Sequence, residues 1–162
     1  MRWPAGWPLL LTVLFALGCP SAYQQTYERK TQELESEQRA REAEEKAAHA
    51  EASRYAAVVY FEVGSAAIGE DGARELRWFV KQMQPYPQAV VQVQGFADST
   101  GAEATNRGLS DRRAQAVASF LTAQGIETSR IVMEGFGSQS PAASNATTKG
   151  RRSNRRVEVT VR

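Results

Sequence analysis

The sequence predicts an α+β fold, a two-layer sandwich with helices on one face of a mixed sheet, preceded by an N-terminal helical arm. Three observations support it. Four short apolar segments have the composition of strands. Two amphipathic helical segments separate the first three of these strands. A long polar segment without Gly or Pro precedes the first strand. The predicted order is β-α-β-α-β-β. Because crossovers through helices join parallel strands, the first three strands are candidates for parallel pairing.

The polar arm covers residues 23–54, which are rich in Glu, Gln, Ala, Arg and Lys, all good helix formers. Large apolar residues are nearly absent from the arm, and its alanines would form only a weak hydrophobic seam for packing against a second helix. The composition therefore favours a solvated helical spacer over a coiled coil, which needs sustained apolar a and d positions.

The first half of the predicted domain contains two strands and one helix. Residues 57–61 form a short apolar strand, and residues 70–84 an amphipathic helix that Pro85 and Pro87 end. Residues 89–94 form the second strand, where apolar and polar residues alternate. The inward positions of the helix are spaced by three and four: Ala73, Leu76, Phe79, Val80 and Met83.

The second half contains one helix and two strands. The helix is predicted to begin near Leu109, with Ser110 as N-cap, and to end at Gly125. Residues 131–135 form the third strand and residues 157–161 the fourth. Residues 138–153 between these strands are predicted to be a polar loop.

The N-terminus has the pattern of a targeting segment. Arg2 precedes an apolar stretch, residues 9–17, that is too short to span a bilayer and fits a secretory signal. Residues 16–19, Ala-Leu-Gly-Cys, resemble a bacterial lipobox, which implies cleavage before Cys19 and attachment of lipid to its thiol. Ala16 departs from the usual leucine, so an ordinary signal peptide with an incidental cysteine is the alternative. Pro20 permits delivery to the outer membrane.

The composition argues against several classes of function. The net charge of +2 is too small to suggest a nucleic-acid partner. One cysteine and one histidine leave no intrachain disulfide, no Cys/His metal site and no Ser-His-Asp arrangement. No cofactor is expected, and neither is catalysis: the carboxylates Asp98, Glu103 and Asp111 could form an acid/base pair, but nothing marks a nucleophile.

Two opposite charges flank the junction between the second strand and the second helix. Asp98 leaves the strand end, and Arg113 falls in the predicted first turn of the helix, where binding groups often collect. A plain structural salt bridge between them is the simpler interpretation.

The surrounding motifs point to a binding domain. The pattern G-F-A-D-x-x-G from Gly95, followed by N-x-x-L-S-x-R-R-A-x-x-V from Asn106, resembles the OmpA-like peptidoglycan-binding domain, which peptidoglycan-associated lipoproteins share. The resemblance continues in Val59-Tyr60-Phe61, in Gly135-Phe136-Gly137 and in Asn154-Arg155-Arg156-Val157-Glu158. It covers the chain from Ala56 to the end. The domains are thus expected at residues 1–18 (signal peptide), 19–54 (lipidated Cys19 and spacer) and 55–162 (OmpA-like domain).

The resemblance implies a ligand, the diaminopimelate of the peptidoglycan stem peptide, whose free end carries an ammonium and a carboxylate. Asp98 would accept from the ammonium, and Arg113 would hold the carboxylate through two parallel bonds. Asn106 can donate and accept, and helix N–H groups near Ser110 would add anion affinity. Other residues are expected to line the pocket: Ser99, Thr100 and Leu109. Arg156, with Asn154, is expected to support the fold.

The resemblance also implies where the protein works. It would be an outer-membrane lipoprotein with its domain in the periplasm, tethering the envelope to peptidoglycan. The alternative is a protein-interaction module of a Tol-Pal-type periplasmic complex. A cluster of basic residues near the C-terminus could attract nucleic acid or anionic lipid; in the family this segment lies beside the ligand site. The cluster comprises Lys149, Arg151, Arg152, Arg155 and Arg156.

Overall fold

The structure is a computed structural model that describes residues 21–162. The predicted signal peptide, Cys19 and Pro20 lie outside the described residues. Helix α1 spans Ala22–Ala52, which agrees with the predicted helical arm. The chain divides into two units, one ending at Arg41 and the other extending over Glu42–Arg162, so the last turns of α1 belong to the second unit. Within residues 21–162, none of the helices is both long and apolar enough to cross a membrane.

The α+β class and the predicted order of elements are confirmed, with one helix added. Residues 21–162 contain four strands: β1 Ala57–Tyr60, β2 Val91–Gly95, β3 Ile131–Gly135 and β4 Arg156–Val161. The same residues contain three further α-helices, α2 Glu70–Met83, α3 Glu103–Ala123 and α4 Thr148–Asn154, and one 3-10 turn at Thr128–Arg130. The prediction of a loop over residues 138–153 was wrong for its second half, where Thr147 caps α4 by accepting a 3.0 Å hydrogen bond from Gly150 N.

The four strands form one mixed sheet in the order β1-β4-β2-β3. Strands β2 and β3 pair in parallel, whereas β4 is antiparallel to both of its neighbours, β1 and β2. Parallel pairing is therefore confirmed for β2 with β3 and wrong for β1. β1 does not pair in parallel because β4 lies between it and β2. Val157 and Val159 of β4 are fully buried, and the central position of this strand in the sheet gives both valines neighbours on each side.

The core lies between the sheet and helices α2 and α3. Burying each large side chain there contributes about 1.5–3 kcal/mol. Leu76, Phe79 and Met83 of α2 are buried as the periodicity predicted, and Val117 and Leu121 cover the sheet from α3. The sheet contributes Val59, Val91, Val93, Val157 and Val159.

Helix α3 begins earlier than predicted. It starts at Glu103 after Ala102, so Ser110 is not its N-cap. Ser110 is fully buried; its hydroxyl donates to Arg107 O at 2.7 Å and accepts from Gly137 N at 2.9 Å. Burial of the segment against the sheet outweighs the local preference of serine for a helix start. The expectation that free helix N–H groups near Ser110 would attract an anion is therefore wrong. Arg113, which was predicted in the first turn of the helix, lies in its middle.

Candidate functional site

A cleft of about 520 Å³ opens beside the loop that follows β2. One wall is that loop, a second is the segment that includes α4, and Val63 of the β1–α2 loop completes the rim. Asp98, Arg151 and Arg155 supply its charges. The remaining lining residues are neutral: Val63, Ser99, Thr100, Asn145 and Thr148.

Asp98 is the acidic group of the cleft. Its Oδ2 lies 3.0 Å from Arg155 Nη1, and its Oδ1 accepts from Thr100 N at 2.9 Å. Burial raises the pKa of this carboxyl, but the Thr100 N–H and Arg155 together lower it by more, so the pKa lies below its ordinary value. Asp98 is therefore an ionised carboxylate at neutral pH, and the loop and a cation fix its orientation.

Arg155 is the cation that pairs with Asp98. Its Nε donates to Phe61 O at 3.0 Å, which fixes the guanidinium plane at the start of the β1–α2 loop. Within residues 21–162, Arg155 Nη2 makes no hydrogen bond, and it is not fully buried. Arg155 thus brings free N–H groups to the cleft. Sequence analysis placed this residue in the basic cluster and in the Asn154-Arg155-Arg156 motif but did not identify it as the partner of Asp98, although a carboxylate at a strand end signals the need for a cation.

Arg113 has a different environment from the one predicted. It is fully buried, and its Nε, Nη1 and Nη2 donate to three carbonyl oxygens, those of Ser65, Phe96 and Glu62, at 2.8–3.0 Å. Burial first, and then the positive charge of Arg155, lower the pKa of Arg113 to about 10, so the group stays charged at neutral pH. The simple salt bridge between Asp98 and Arg113 was a wrong interpretation, because the ion pair of Asp98 is with Arg155.

The three carbonyl bonds leave one further N–H on each terminal nitrogen of Arg113. They also tie the β1–α2 loop to the loop after β2, since Glu62 and Ser65 belong to the first and Phe96 to the second. Arg113 therefore fixes two walls of the cleft relative to each other without being exposed in it.

The other predicted ligand residues fall into two groups. Ser99 and Thr100 are exposed and line the cleft. Asn106 and Leu109 are buried on the same side of α3 as Arg113 and are not among the lining residues. Asn106 Nδ2 is a buried donor without a partner within the described residues. Such donors are rare in folded proteins.

Asn154 joins α4 to the cleft loop. It is fully buried; its amide exchanges hydrogen bonds with Ala143 N and O and donates to Asn145 Oδ1 at 2.8 Å. The same Asn145 oxygen accepts from Ser99 N at 3.1 Å. These contacts are those of a residue that supports the site rather than one that meets a ligand.

Arg156 packs on the opposite side of the same loop. Its guanidinium carbon lies 4.0 Å from the centre of the Phe96 ring, and its Nε lies 2.6 Å from Glu158 Oε1. Phe96 in turn stacks on Phe136, with ring centres 5.3 Å apart. Arg156 thus holds the base of the loop that carries Asp98.

Within residues 21–162, no three His, Cys, Asp or Glu side chains form a group that could hold a metal ion. At the cleft, a fixed carboxylate lies beside a guanidinium with free N–H donors, an arrangement that suits a ligand carrying both charges.

Comparison with known proteins finds relatives of this chain. The chain is 43% identical over 103 residues to the probable lipoprotein YiaD of Escherichia coli, covering 64% of this chain and 47% of YiaD. It is 41% identical over 105 residues to the peptidoglycan-binding protein ArfA of Mycobacterium tuberculosis, covering 60% of this chain and 32% of ArfA. The match therefore spans about half of one relative and a third of the other.

Solved structures share the fold. The C-terminal domain of Helicobacter pylori MotB matches with a TM-score of 0.61 and 28% identity, over 65% of this chain and 83% of that one. The peptidoglycan-associated lipoprotein of Burkholderia pseudomallei matches with a TM-score of 0.63 over 65% of this chain and 90% of that one; at 24% identity, this likeness concerns the fold alone. Residues 60–155, which contain the whole cleft, match the OmpA family, and the chain belongs to it.

Proposed function

We propose that this protein binds peptidoglycan non-covalently, through the diaminopimelate of the stem peptide, and tethers the outer membrane to the cell wall. The observation that carries the proposal is the buried Asp98–Arg155 pair at the cleft, where a fixed carboxylate adjoins a guanidinium with free N–H groups. ArfA, a relative named for peptidoglycan binding, supports the same ligand class.

The free end of diaminopimelate is a zwitterion that fits these two groups. Its ammonium donates to the remaining lone pairs of Asp98, and its carboxylate accepts from Arg155 Nη2. Arg113 supports the site without touching the ligand, because it fixes the two loops that form walls of the cleft. Ser99 and Thr100 line the cleft beside these groups, whereas Asn106 and Leu109 are buried on the same side of α3 as Arg113 and make no contact with the ligand in this proposal. With charge-assisted bonds at about 1.5–3 kcal/mol each, we expect an affinity in the micromolar to millimolar range.

Anchoring compensates for a weak individual contact. In this proposal residues 1–18 are a signal peptide, Cys19 carries lipid in the outer membrane, residues 19–54 form the spacer and residues 55–162 the periplasmic domain. Helix α1, with its 31 residues, is about 45 Å long. Membrane attachment and the repeating wall make binding multivalent. Loss of membrane association in Cys19→Ser, with wall binding of the purified domain intact, tests the anchor separately.

Sedimentation with purified peptidoglycan tests the ligand. The wild-type protein should co-sediment with diaminopimelate-type peptidoglycan at least tenfold better than with lysine-type, because lysine lacks the second carboxylate. Asp98→Asn should lose most of this retention, whereas Asp71→Asn, an exposed acid on α2, should keep it. Equal retention of wild type and Asp98→Asn, both folded by circular dichroism, would overturn the proposal.

A further inference from the structure

The basic cluster near the C-terminus divides into compensated and uncompensated cations. Arg155 pairs with Asp98, and Arg156 pairs with Glu158. In the part of the chain that the structure describes, Lys149, Arg151 and Arg152 have no carboxylate within ion-pair distance. Of these three, Arg151 alone lines the cleft, whereas Arg152 is exposed and borders a different cavity beside β1. The cluster thus leaves one unpaired cation at the candidate site.

Arg151 is held in place by neutral groups. Its Nη1 donates to Asn145 O at 2.8 Å and its Nη2 to Thr148 Oγ1 at 3.2 Å. Its Nε makes no hydrogen bond within residues 21–162, and the residue is only half-buried. An arginine oriented by two neutral acceptors keeps its full charge for an external anion, unlike Arg155, whose charge Asp98 already offsets.

The cleft carries one more positive charge than a zwitterion offsets. Asp98, Arg151 and Arg155 sum to +1, and the buried Arg113 adds to the positive potential behind them. The free end of diaminopimelate has no net charge, so its binding leaves that excess unchanged. A ligand with one additional carboxylate would neutralise it.

The stem peptide carries such a group next to diaminopimelate. The preceding glutamate is linked through its side-chain carboxyl, so its α-carboxylate is either free or amidated. The cleft volume of 520 Å³ falls within the range of about 300–1,000 Å³ for ligand sites, enough for two adjacent residues of a peptide.

We propose that Arg151 forms a second anion subsite, which binds the free α-carboxylate of the glutamate preceding diaminopimelate and disfavours its amidated form. This inference rests on the proposed function and adds a second recognised residue to it. The cleft then selects peptidoglycan by two features, the zwitterionic end and the neighbouring carboxylate.

Calorimetric titration with two synthetic tripeptides tests the subsite. Both end in diaminopimelate, and they differ only in a free or amidated glutamate α-carboxyl. Wild type should bind the free acid about tenfold more tightly than the amide. Arg151→Gln, which keeps a side chain able to bond Asn145 O, should bind both equally, at the affinity that wild type shows for the amide. Arg151→Lys should keep part of the preference, and Arg152→Gln all of it.

The outcomes separate this inference from the function on which it rests. Equal wild-type affinity for both tripeptides, or a preference that survives Arg151→Gln, would overturn the subsite and leave diaminopimelate recognition standing. If wild type binds neither tripeptide nor prefers diaminopimelate over lysine, both proposals are overturned. Matching thermal transitions of the Arg151 variants and wild type show that the comparison concerns binding rather than folding.

Discussion

Arg155 Nη1 lies 3.0 Å from Asp98 Oδ2, and the two side chains are only 9% and 8% exposed. This pair joins the loop after β2 to the residue just before β4. Buried charges are tolerated when they are paired, and removing one partner leaves the other desolvated and uncompensated. The contact that builds the cleft therefore also stabilises the fold, and variants at Asp98 need a stability measurement beside every binding measurement.

Asp98→Asn should lower the free energy of unfolding by about 3 kcal/mol at pH 7, because Arg155 remains buried without its counter-charge. Urea unfolding followed by circular dichroism measures the loss. Asp71→Asn removes an exposed carboxylate from α2 and should change stability by less than about 0.5 kcal/mol. A loss no larger in Asp98→Asn than in Asp71→Asn would show that the buried pair does not stabilise the protein.

Acid should weaken the protein partly through Asp98. Its folded-state pKa lies below the ordinary value, so its contribution to stability is present above the unfolded-state pKa of about 4 and is lost as pH falls through the folded-state pKa. Unfolding free energies measured between pH 5 and pH 2 should fall more steeply for wild type than for Asp98→Asn. Parallel curves for the two proteins would contradict this assignment.

Arg113→Gln should destabilise the fold by about 3 kcal/mol or more, since three carbonyl oxygens lose a charged donor. Arg113→Lys should recover little, because one ammonium cannot reach three carbonyls arranged around a planar guanidinium. The neighbouring Arg112 is exposed, and Arg112→Gln should be nearly neutral. Chemical denaturation of the three variants measures these differences; similar midpoints for Arg112→Gln and Arg113→Gln would refute the role given to Arg113.

Local patterns were enough to predict most elements. The strand over residues 131–135 agrees with β3, and the inward residues Leu76, Phe79 and Met83 are buried as their spacing indicates. Alternation and helical periodicity report which side of an element faces the core, and they act over a few neighbouring residues.

What the sequence did not predict depends on distant contacts. The insertion of β4 between β1 and β2 follows from the burial of Val157 and Val159. Asp98 was expected to act with Arg113 and instead pairs with Arg155, a choice that only the three-dimensional path of the chain determines. The earlier start of α3 likewise reflects packing against the sheet, which outweighs the capping preference of Ser110.

Gly95 permits the close approach of α3 to the end of β2. A Cβ at this position would lie 2.2 Å from Ser110 O, a backbone atom that cannot move without displacing the helix. Gly95→Ala should therefore destabilise the protein by about 3 kcal/mol and impair wall binding, because α3 carries Arg113. Gly69→Ala is the matched control: apart from its chain neighbours, no atom lies within 4 Å of where a Cβ would stand, and its φ of −74° suits alanine, so even at the N-cap of α2 it should cost less than about 1 kcal/mol. Thermal unfolding distinguishes them, and equal transition temperatures would show that α3 adapts to the methyl group.

Asn154→Asp should loosen the cleft without changing any residue that lines it. The replacement keeps the shape of the side chain but removes the two Nδ2 hydrogen bonds, to Ala143 O and Asn145 Oδ1, and places a carboxylate against both oxygens. Asn145 then no longer holds Ser99 N firmly, so hydrogen exchange of the Ser99 amide should accelerate and retention on peptidoglycan should fall. Gln139→Glu adds the same charge at an exposed position and should leave both unchanged. If Ser99 exchanges at the wild-type rate in Asn154→Asp, the amide of Asn154 does not order the binding loop.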